Sequence, residues 1–338
     1  MSSTPEVGGC FLATVQPAPQ PRGYTPISQK NRRNLRGQSS LILAFGLPDQ
    51  STLTPFTYSA SVVATAGTVT ETSSANFTGT IGVYTNSGGT SLYNGVAAVA
   101  ITNTTSGSVS VGPGLPTTVF VVIKDASNAI VGDVRSTILG IAGASTVNGT
   151  GASEIIFGFE AASTINAGGG DNLIIGGTGV DNITTGNGNN VIQNGAGAGA
   201  DVITTGRGND IITSGAGVKT INSGAGADIF VWASADVDTT AGAVIDTIND
   251  YGTAADSIRG SWGVGSAANY FNNPSAAADL AGLLLAADTK LDGTIKYYVG
   301  QVGADSYLVT DSDGIGYTDV IKLVGFGAAS FAVGQIVA

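Results

Sequence analysis

The stretch from Ala167 to Val231 decides the fold, and it reads AGGGDNLIIGGTGVDNITTGNGNNVIQNGAGAGADVITTGRGNDIITSGAGVKTINSGAGADIFV. It repeats a nine-residue unit, G-x-G-x-(D/N)-x-U, in which U is a large apolar residue. Two alternate glycines allow a tight turn, because glycine adopts positive φ without a steric penalty. Each unit therefore predicts a turn followed by a very short strand, and stacked units bury a continuous apolar row. The predicted row is Ile174, Ile183, Ile192, Ile203, Ile212, Ile221 and Phe230.

The polar positions of the repeat fall on two sides of the predicted coil. Two units make one turn of a right-handed parallel coil, so residues about eighteen apart lie on the same side. One side, the Asn172 row, carries Asn172, Asn190, Asp210 and Asp228. The other side, the Asp181 row, carries Asp181, Asp201 and Lys219. The spacing grows by two residues between Ile192 and Ile203, which predicts a longer turn after Asn194.

These units resemble the calcium-binding nonapeptide repeat of the RTX family, whose consensus is G-G-x-G-x-D-x-U-x. The resemblance implies a β-roll in which Ca²⁺ lies between successive turns, held by backbone carbonyls and one Asp from each turn. Oxygen ligands are those that Ca²⁺ prefers. The resemblance makes Asp210 with Asp228, and Asp181 with Asp201, the best calcium pairs. Asn172 and Asn190 supply neutral oxygens, so we expect their site to be weaker or empty.

Lys219 departs from the family pattern by placing an ammonium group where a cation would lie. Our hypothesis is that it substitutes for calcium and pairs with Asp201. Neutral Asn residues lower the negative charge of the Asn172 row, and Lys219 lowers that of the Asp181 row. A metal-poor, purely structural solenoid therefore stays open as the alternative.

Upstream of the repeats the same spacing fades. The segment Gly149-x-Gly151-x-Ser153-x-Ile155 keeps the glycines and the apolar residue but has no acid at the expected place. Ile165 precedes Ile174 by nine residues. We therefore expect metal-free turns from about Gly140, held together by apolar stacking alone.

Downstream, Asp246-Thr-Ile-Asn-Asp250-Tyr-Gly and Asp256-Ser-Ile resemble the segment that closes the calcium β-roll of type I secreted proteins. That resemblance implies that Asp246, Asp250 and Asp256 cap the last turn and bind its calcium; ordinary turn-forming Asp residues are the alternative. It extends to the C-terminal regions of bacterial, notably cyanobacterial, secreted surface proteins such as S-layer proteins, and covers roughly residues 145–338. A helix is predicted over Ser275–Lys290, because Leu280, Leu283, Leu284 and Ala287 form one face.

The predicted fold class is all-β, in four parts. Residues 1–40 form an extended, basic, Pro-rich arm, either solvated or docked on an acidic neighbour. Residues 41–138 contain short alternating strands separated by turn signals, which predict an antiparallel β-sandwich. Residues 139–235 form a right-handed parallel RTX-like β-roll or β-solenoid. Residues 236–338 form a β-rich capping and secretion-signal region with one helix.

Composition excludes several classes of function. The net charge is −11, so nucleic acid is an unfavourable partner and divalent cations suit the chain. The chain has no His and a single Cys, which removes the commonest general base and leaves no intrachain disulfide. No apolar stretch is long enough to span a membrane. The first thirty residues lack the basic-then-apolar order of a cleaved secretory signal, and type I export fits this.

The sequence therefore favours a non-enzymatic, calcium-stabilised extracellular structural protein. We expect it to self-associate into a surface layer, coat or fibre, with a cell-surface glycan as a candidate partner. The alternative is a virion decoration or tail protein built on a β-solenoid. Proteases and lipases that carry RTX repeats need His, and only a glycosidase that uses carboxylates alone survives that test.

Overall fold

A computed structural model of the chain describes residues 56–63, 66–93, 97–111, 118–131, 134–140, 145–159, 162–195, 197, 199–232, 245–252, 255–260 and 262–338. The predicted arm, residues 1–40, lies outside these residues. The described residues all belong to one compact unit, Ser40–Ala338.

In chain order, the strands and the α-helix of the described residues are β1 (Phe56–Val63), β2 (Ala66–Tyr84), β3 (Val99–Val111), β4 (Thr118–Asp125), β5 (Arg135–Leu139), β6 (Ser145–Thr150), β7 (Glu154–Phe157), β8 (Ser163–Gly168), β9 (Leu173–Ile175), β10 (Asn182–Thr185), β11 (Val191–Gln193), β12 (Asp201–Thr204), β13 (Ile211–Thr213), β14 (Lys219–Asn222), β15 (Ile229–Trp232), β16 (Asp246–Ile248), β17 (Ser257–Gly260), β18 (Tyr270–Ala277), α1 (Leu280–Asp288), β19 (Tyr297–Val302), β20 (Asp305–Thr310), β21 (Asp319–Leu323) and β22 (Ile336–Val337).

A parallel β-roll forms the centre of the molecule. Odd-numbered strands from β5 to β17 join a first sheet, and even-numbered strands from β6 to β16 join a second. Neighbouring strands within each sheet are parallel and one turn apart, as Ile165 beside Ile183 and Ile174 beside Ile192 show. The two-residue insertion lies in the turn between β11 and β12, so Ile192 stays in register with Ile212. This confirms the predicted period.

The apolar row forms the core between the two sheets. All seven predicted U residues belong to one buried cluster and are at most 1% exposed. The cluster continues through Ile156 upstream and through Ile248 and Ile258 downstream. The core is therefore one continuous column, as the repeat predicts.

One detail upstream is wrong by one residue. Ile156, and not Ile155, lies in register with Ile174 and joins the central core. Ile155 faces outward into a second apolar cluster. The shift also brings Glu154 into register with the polar rows, so this turn does carry an acid. Two consecutive isoleucines made the inward position ambiguous, because a one-residue slip exchanges the faces of a strand.

The N-terminal strands differ from the predicted sandwich. β1, β2, β3 and β4 are antiparallel, but they extend the first sheet of the roll through the β4–β5 pair and do not form two separate facing sheets. Their inner residues, such as Val69, Ile81 and Val121, share one cluster with outward residues of the roll, such as Leu173 and Val191. The apolar outer face of the early roll therefore supplies the second layer that a sandwich would need.

The C-terminal residues close the far end of the roll. β21 pairs in parallel with β16, and β22 pairs in parallel with β17, so both sheets continue past the repeats. β19, β20 and β21 form antiparallel pairs beside them. The helix is shorter than predicted, because residues 270–277 are strand β18; its buried side is Leu283, Leu284 and Ala287, as expected. None of the described helices is long and apolar enough to cross a membrane.

Candidate functional site

The Asn172 row forms a ladder of side-chain oxygens bonded to backbone N–H groups of the preceding turn. The Asn172 N–H donates to Asn190 Oδ1 at 3.2 Å, and the Asn190 N–H donates to Asp210 Oδ1 at 2.7 Å. The Asp210 N–H donates to Asp228 Oδ1 at 2.9 Å, and the Asp228 N–H donates to Asp256 Oδ1 at 3.0 Å. The structure thus brings these five predicted residues into one column.

The Asp181 row repeats this arrangement on the opposite side. The Asp181 N–H donates to Asp201 Oδ1 at 2.7 Å. Lys219 lies beside Asp201 in register, and its N–H donates to Asp246 Oδ1 at 2.7 Å. Asp246 therefore continues the Asp181 row, just as Asp256 continues the Asn172 row. The stacking predicted for both rows is confirmed, whereas calcium binding by individual residues stays a prediction.

Three aspartates keep one carboxylate oxygen without a partner. Oδ2 of Asp181, Asp210 and Asp228 is buried and accepts no hydrogen bond. Burial raises the pKa of Asp181 to about 7 and that of Asp228 to about 6, and it also raises the pKa of Asp210. A buried anionic oxygen without a donor is costly. These three oxygens are therefore the places in the roll where a bound cation would stabilise the fold most.

Four other predicted ligands use both oxygens within the protein. Asp201 Oδ2 accepts from Asn194 Nδ2 at 2.6 Å, and Asp246 Oδ2 accepts from Trp232 Nε1 at 2.7 Å. Asp250 accepts from the N–H groups of residues 223 and 224. Asp256 Oδ2 accepts from the residue 252 N–H at 2.8 Å. The closing segment thus caps the roll by hydrogen bonds, which fits the turn-forming alternative for Asp246, Asp250 and Asp256.

Backbone carbonyls lie close to the stacked glycines of these turns. A Cβ added to Gly208 would lie 2.1 Å from the Gly188 carbonyl oxygen, and φ of Gly208 is 134°. A side chain there would fill the space between the turns. In the described part of the chain no three His, Cys, Asp or Glu side chains converge on one point. The residues present therefore fit Ca²⁺, provided that carbonyl oxygens supply most of the ligands and Asp181, Asp210 and Asp228 supply the charge.

Sequence reasoning missed an outer column of polar residues beside the Asn172 row. The Asn189 N–H donates to Asp171 Oδ1 at 2.7 Å, and the Asn209 N–H donates to Asn189 Oδ1 at 2.7 Å. In this column the side chain of the earlier turn accepts, so the bonds run in the direction opposite to those of the inner rows. The signal was present in the sequence, because an Asp or Asn precedes the acid position in three consecutive turns of this side.

Asn194 is a second residue that sequence reasoning left without a role. It begins the longer turn, and a buried Oδ1 stays without a partner while its Nδ2 holds Asp201. Its backbone oxygen and Asp181 Oδ2 both approach Gly176, at 2.6 and 2.7 Å from an added Cβ. A backbone oxygen and a carboxylate oxygen therefore lie close together beside Gly176 in the Asp181 turn. No sequence pattern marks Asn194, since the consensus places glycine there.

Comparison with known proteins bears on the same turns. Residues 157–192 and 195–230 match the family described as RTX calcium-binding nonapeptide repeat (4 copies). Among solved structures, the solution structure of the AlgE6R3 subunit from the Azotobacter vinelandii mannuronan C5-epimerase is similar at 21% identity, over 59% of this chain and 80% of that chain, with a TM-score of 0.27. No curated protein matches the chain. The chain thus carries RTX calcium-binding nonapeptide repeats in the turns that hold the Asn172 and Asp181 rows.

Proposed function

We propose that the protein is a non-enzymatic, calcium-stabilised extracellular scaffold that builds a surface layer, coat or fibre by self-association. The observation that carries the proposal is the set of buried oxygens without partners at Asp181, Asp210 and Asp228. They occupy repeats that match a calcium-binding family. Calcium would neutralise these carboxylates and clamp successive turns, so the folded state would depend on the calcium-rich exterior.

A structural role is supported by what the chemistry of the chain omits. The sequence has no His, so neither a zinc-type His motif nor a Ser-His-Asp set can form. The buried carboxylates of the stacked turns bond to backbone N–H groups, as Asp201 and Asp228 do. Such groups stabilise the stacked turns of the roll, as a structural role requires.

Self-association is supported by the outer face of the second sheet. Across β8, β10, β12 and β14 its outward residues are uncharged and exposed or half-exposed; they are Thr164, Asn166, Asn182, Thr184, Val202, Thr204, Thr220 and Asn222. A chain of net charge −11 repels its own copies. An uncharged face is where two copies can meet with least repulsion.

The test is electron microscopy and sedimentation of purified full-length protein in calcium, in magnesium and in chelator. We expect ordered sheets or fibres in calcium alone. The double variant Thr164→Glu/Asn182→Glu should bind calcium normally but stay dispersed, whereas Ser312→Glu, at an exposed position in the turn between β20 and β21, should assemble. Assembly that ignores calcium, or that survives the double variant, would contradict the proposal.

The virion alternative keeps one supporting observation. The described residues of β6, of β7 and of the turn between them hold no carboxylate oxygen without a partner, and a decoration or tail protein needs no metal there. Recovery of the native protein in viral particles, with no assembly of the isolated chain in calcium, would favour this alternative.

A further inference from the structure

Lys219 is the one base in the two inner rows, and its side chain is completely buried, with 0% exposure. It stands at the acid position of its repeat, at the start of β14. A buried ammonium group is costly unless acceptors surround it. The groups around the Lys219 ammonium therefore indicate which ligand this turn can bind.

The acceptors are the carbonyls of its own turn. Lys219 Nζ donates to the Gly215 carbonyl oxygen at 2.7 Å and also to the Gly217 carbonyl oxygen. These residues are the two alternate glycines of the repeat. Backbone oxygens that converge on a positive charge are the arrangement expected around a cation.

Acidic residues flank Lys219 along the row. Asp201 lies beside it in register on one side, and Asp246 accepts its backbone N–H on the other. The Asp181 row therefore places one base between two acids, whereas the corresponding part of the Asn172 row runs Asp210, Asp228, Asp256 without a base. The Asp181 row therefore carries one positive charge of its own, and the three aspartates of the other row have none beside them.

We propose that the Lys219 ammonium is a tethered cation that occupies the place of a calcium ion in the Gly215–Gly217 turn. This turn then takes no metal and stays closed in chelator. The roll is divided into a calcium-requiring side and a side that is partly closed without calcium. The inference deepens the proposed function and rests on it for the claim that the Asn172 row binds calcium.

The test compares wild-type protein with Lys219→Met and Lys219→Asp, each in chelator and in calcium. Lys219→Met removes the charge, so its Tm should fall on the order of 10 °C in chelator, and calcium should not restore the difference from wild type. Lys219→Asp should fall at least as far in chelator, recover in calcium, and bind one more calcium ion per chain than wild type. Lys322→Met, a lysine in the same sheet that is 29% exposed and paired with Asp305 at 2.8 Å, is the matched control and should change Tm far less.

The outcomes separate the two proposals. If Lys219→Asp binds no more calcium than a calcium-binding wild type, or if Lys219→Met keeps the wild-type Tm in chelator, the tethered cation is refuted. If wild-type protein binds no calcium while Lys219→Asp does, the tethered cation stands and the proposed function fails. If Lys219→Asp does not fold in chelator, calcium-induced folding is measured by circular dichroism instead. Calcium should then fold Lys219→Asp, whereas it should not change the stability of Lys219→Met relative to wild type.

Discussion

The Asn172 row and the Asp181 row have the same backbone geometry but opposite electrostatic solutions. Both stack their acids through N–H bonds to Oδ1. The Asn172 row leaves Oδ2 of two consecutive aspartates, Asp210 and Asp228, without a partner. In the Asp181 row Oδ2 of Asp181 also lacks a partner, but Oδ2 of Asp201 accepts from Asn194, Oδ2 of Asp246 accepts from Trp232, and the row contains Lys219. One repeat can therefore form, within a single coil, a side with two consecutive carboxylate oxygens that lack partners and a side in which most carboxylate oxygens accept hydrogen bonds.

The largest effect should come from closing the space between turns of the Asn172 row. Gly208→Ala places a Cβ 2.1 Å from the Gly188 oxygen at φ 134°, so we expect a loss of more than about 3 kcal/mol in the free energy of unfolding. Urea unfolding measures it. Gly334→Ala, where an added Cβ meets nothing within 4 Å, is the control. A neutral Gly208→Ala would show that the turns of the protein are less tightly stacked than this geometry requires.

The next effect should separate the rows through calcium. In the double variant Asp210→Asn/Asp228→Asn each Asn keeps Oδ1 but loses the negative charge. Calcium at a free concentration of 100 times its Kd stabilises the folded state by about 2.7 kcal/mol, and most of this stabilisation should be lost in the variant. In chelator at pH 8 the variant should equal or exceed wild-type stability, because two buried charges are gone. Thermal unfolding with and without calcium measures both. The control Asp171→Asn, in the outer column, should keep the calcium response. If both variants lost the same amount of calcium stabilisation, the Asn172 row would not be the calcium-binding row.

A smaller effect should test the Asp181 row without involving calcium. Trp232→Phe removes the Nε1–H that reaches Asp246 Oδ2 at 2.7 Å, and a buried acceptor left alone should cost about 2 kcal/mol. The loss should be equal in calcium and in chelator. Tyr251→Phe removes a hydroxyl whose contact with the Asp256 carbonyl is 3.4 Å, so it should cost less. A loss for Trp232→Phe that calcium repairs would show that Asp246 binds metal.

The smallest effect should be a pH dependence that changes sign with calcium. In the folded chain burial raises the pKa of Asp181 to about 7 and that of Asp228 to about 6, from 3.8. A raised folded pKa favours folding at low pH, so the chelated protein should lose about 1–2 kcal/mol from pH 5 to pH 8, after allowance for screening. Calcium needs the deprotonated acids, so its stabilisation should grow over the same range. Parallel Tm profiles in the two buffers would contradict this.

Much of the fold could be predicted because a single period governs it. The positions of Ile174, Ile183 and Ile192 follow from the nine-residue spacing, and the structure confirms them. The sheet that β1, β2, β3 and β4 join could not be predicted, because alternation marks a strand but does not say with which sheet it pairs. The slip at Ile155 and Ile156 has the same origin, since both residues are apolar.

The candidate site could be predicted only in outline. Spacing placed Asp181, Asp201, Asp210 and Asp228 in two rows, and the hydrogen bonds confirm those rows. Which oxygens would lack a partner could not be read from the sequence. That depends on donors distant along the chain, such as Trp232 Nε1 for Asp246, or on a non-consensus residue such as Asn194 for Asp201.

The opposed directions of the inner and outer hydrogen-bond columns have a consequence for the order of folding. In the inner rows the N–H group of each turn donates to a side-chain oxygen of the turn after it, as the Asp210 N–H donates to Asp228 Oδ1. In the outer column the N–H group of each turn donates to a side-chain oxygen of the turn before it, as the Asn209 N–H donates to Asn189 Oδ1. Either neighbour can therefore serve as the template for the next turn, and the coil can lengthen from a formed segment towards both termini, with the closing aspartates as one natural starting point.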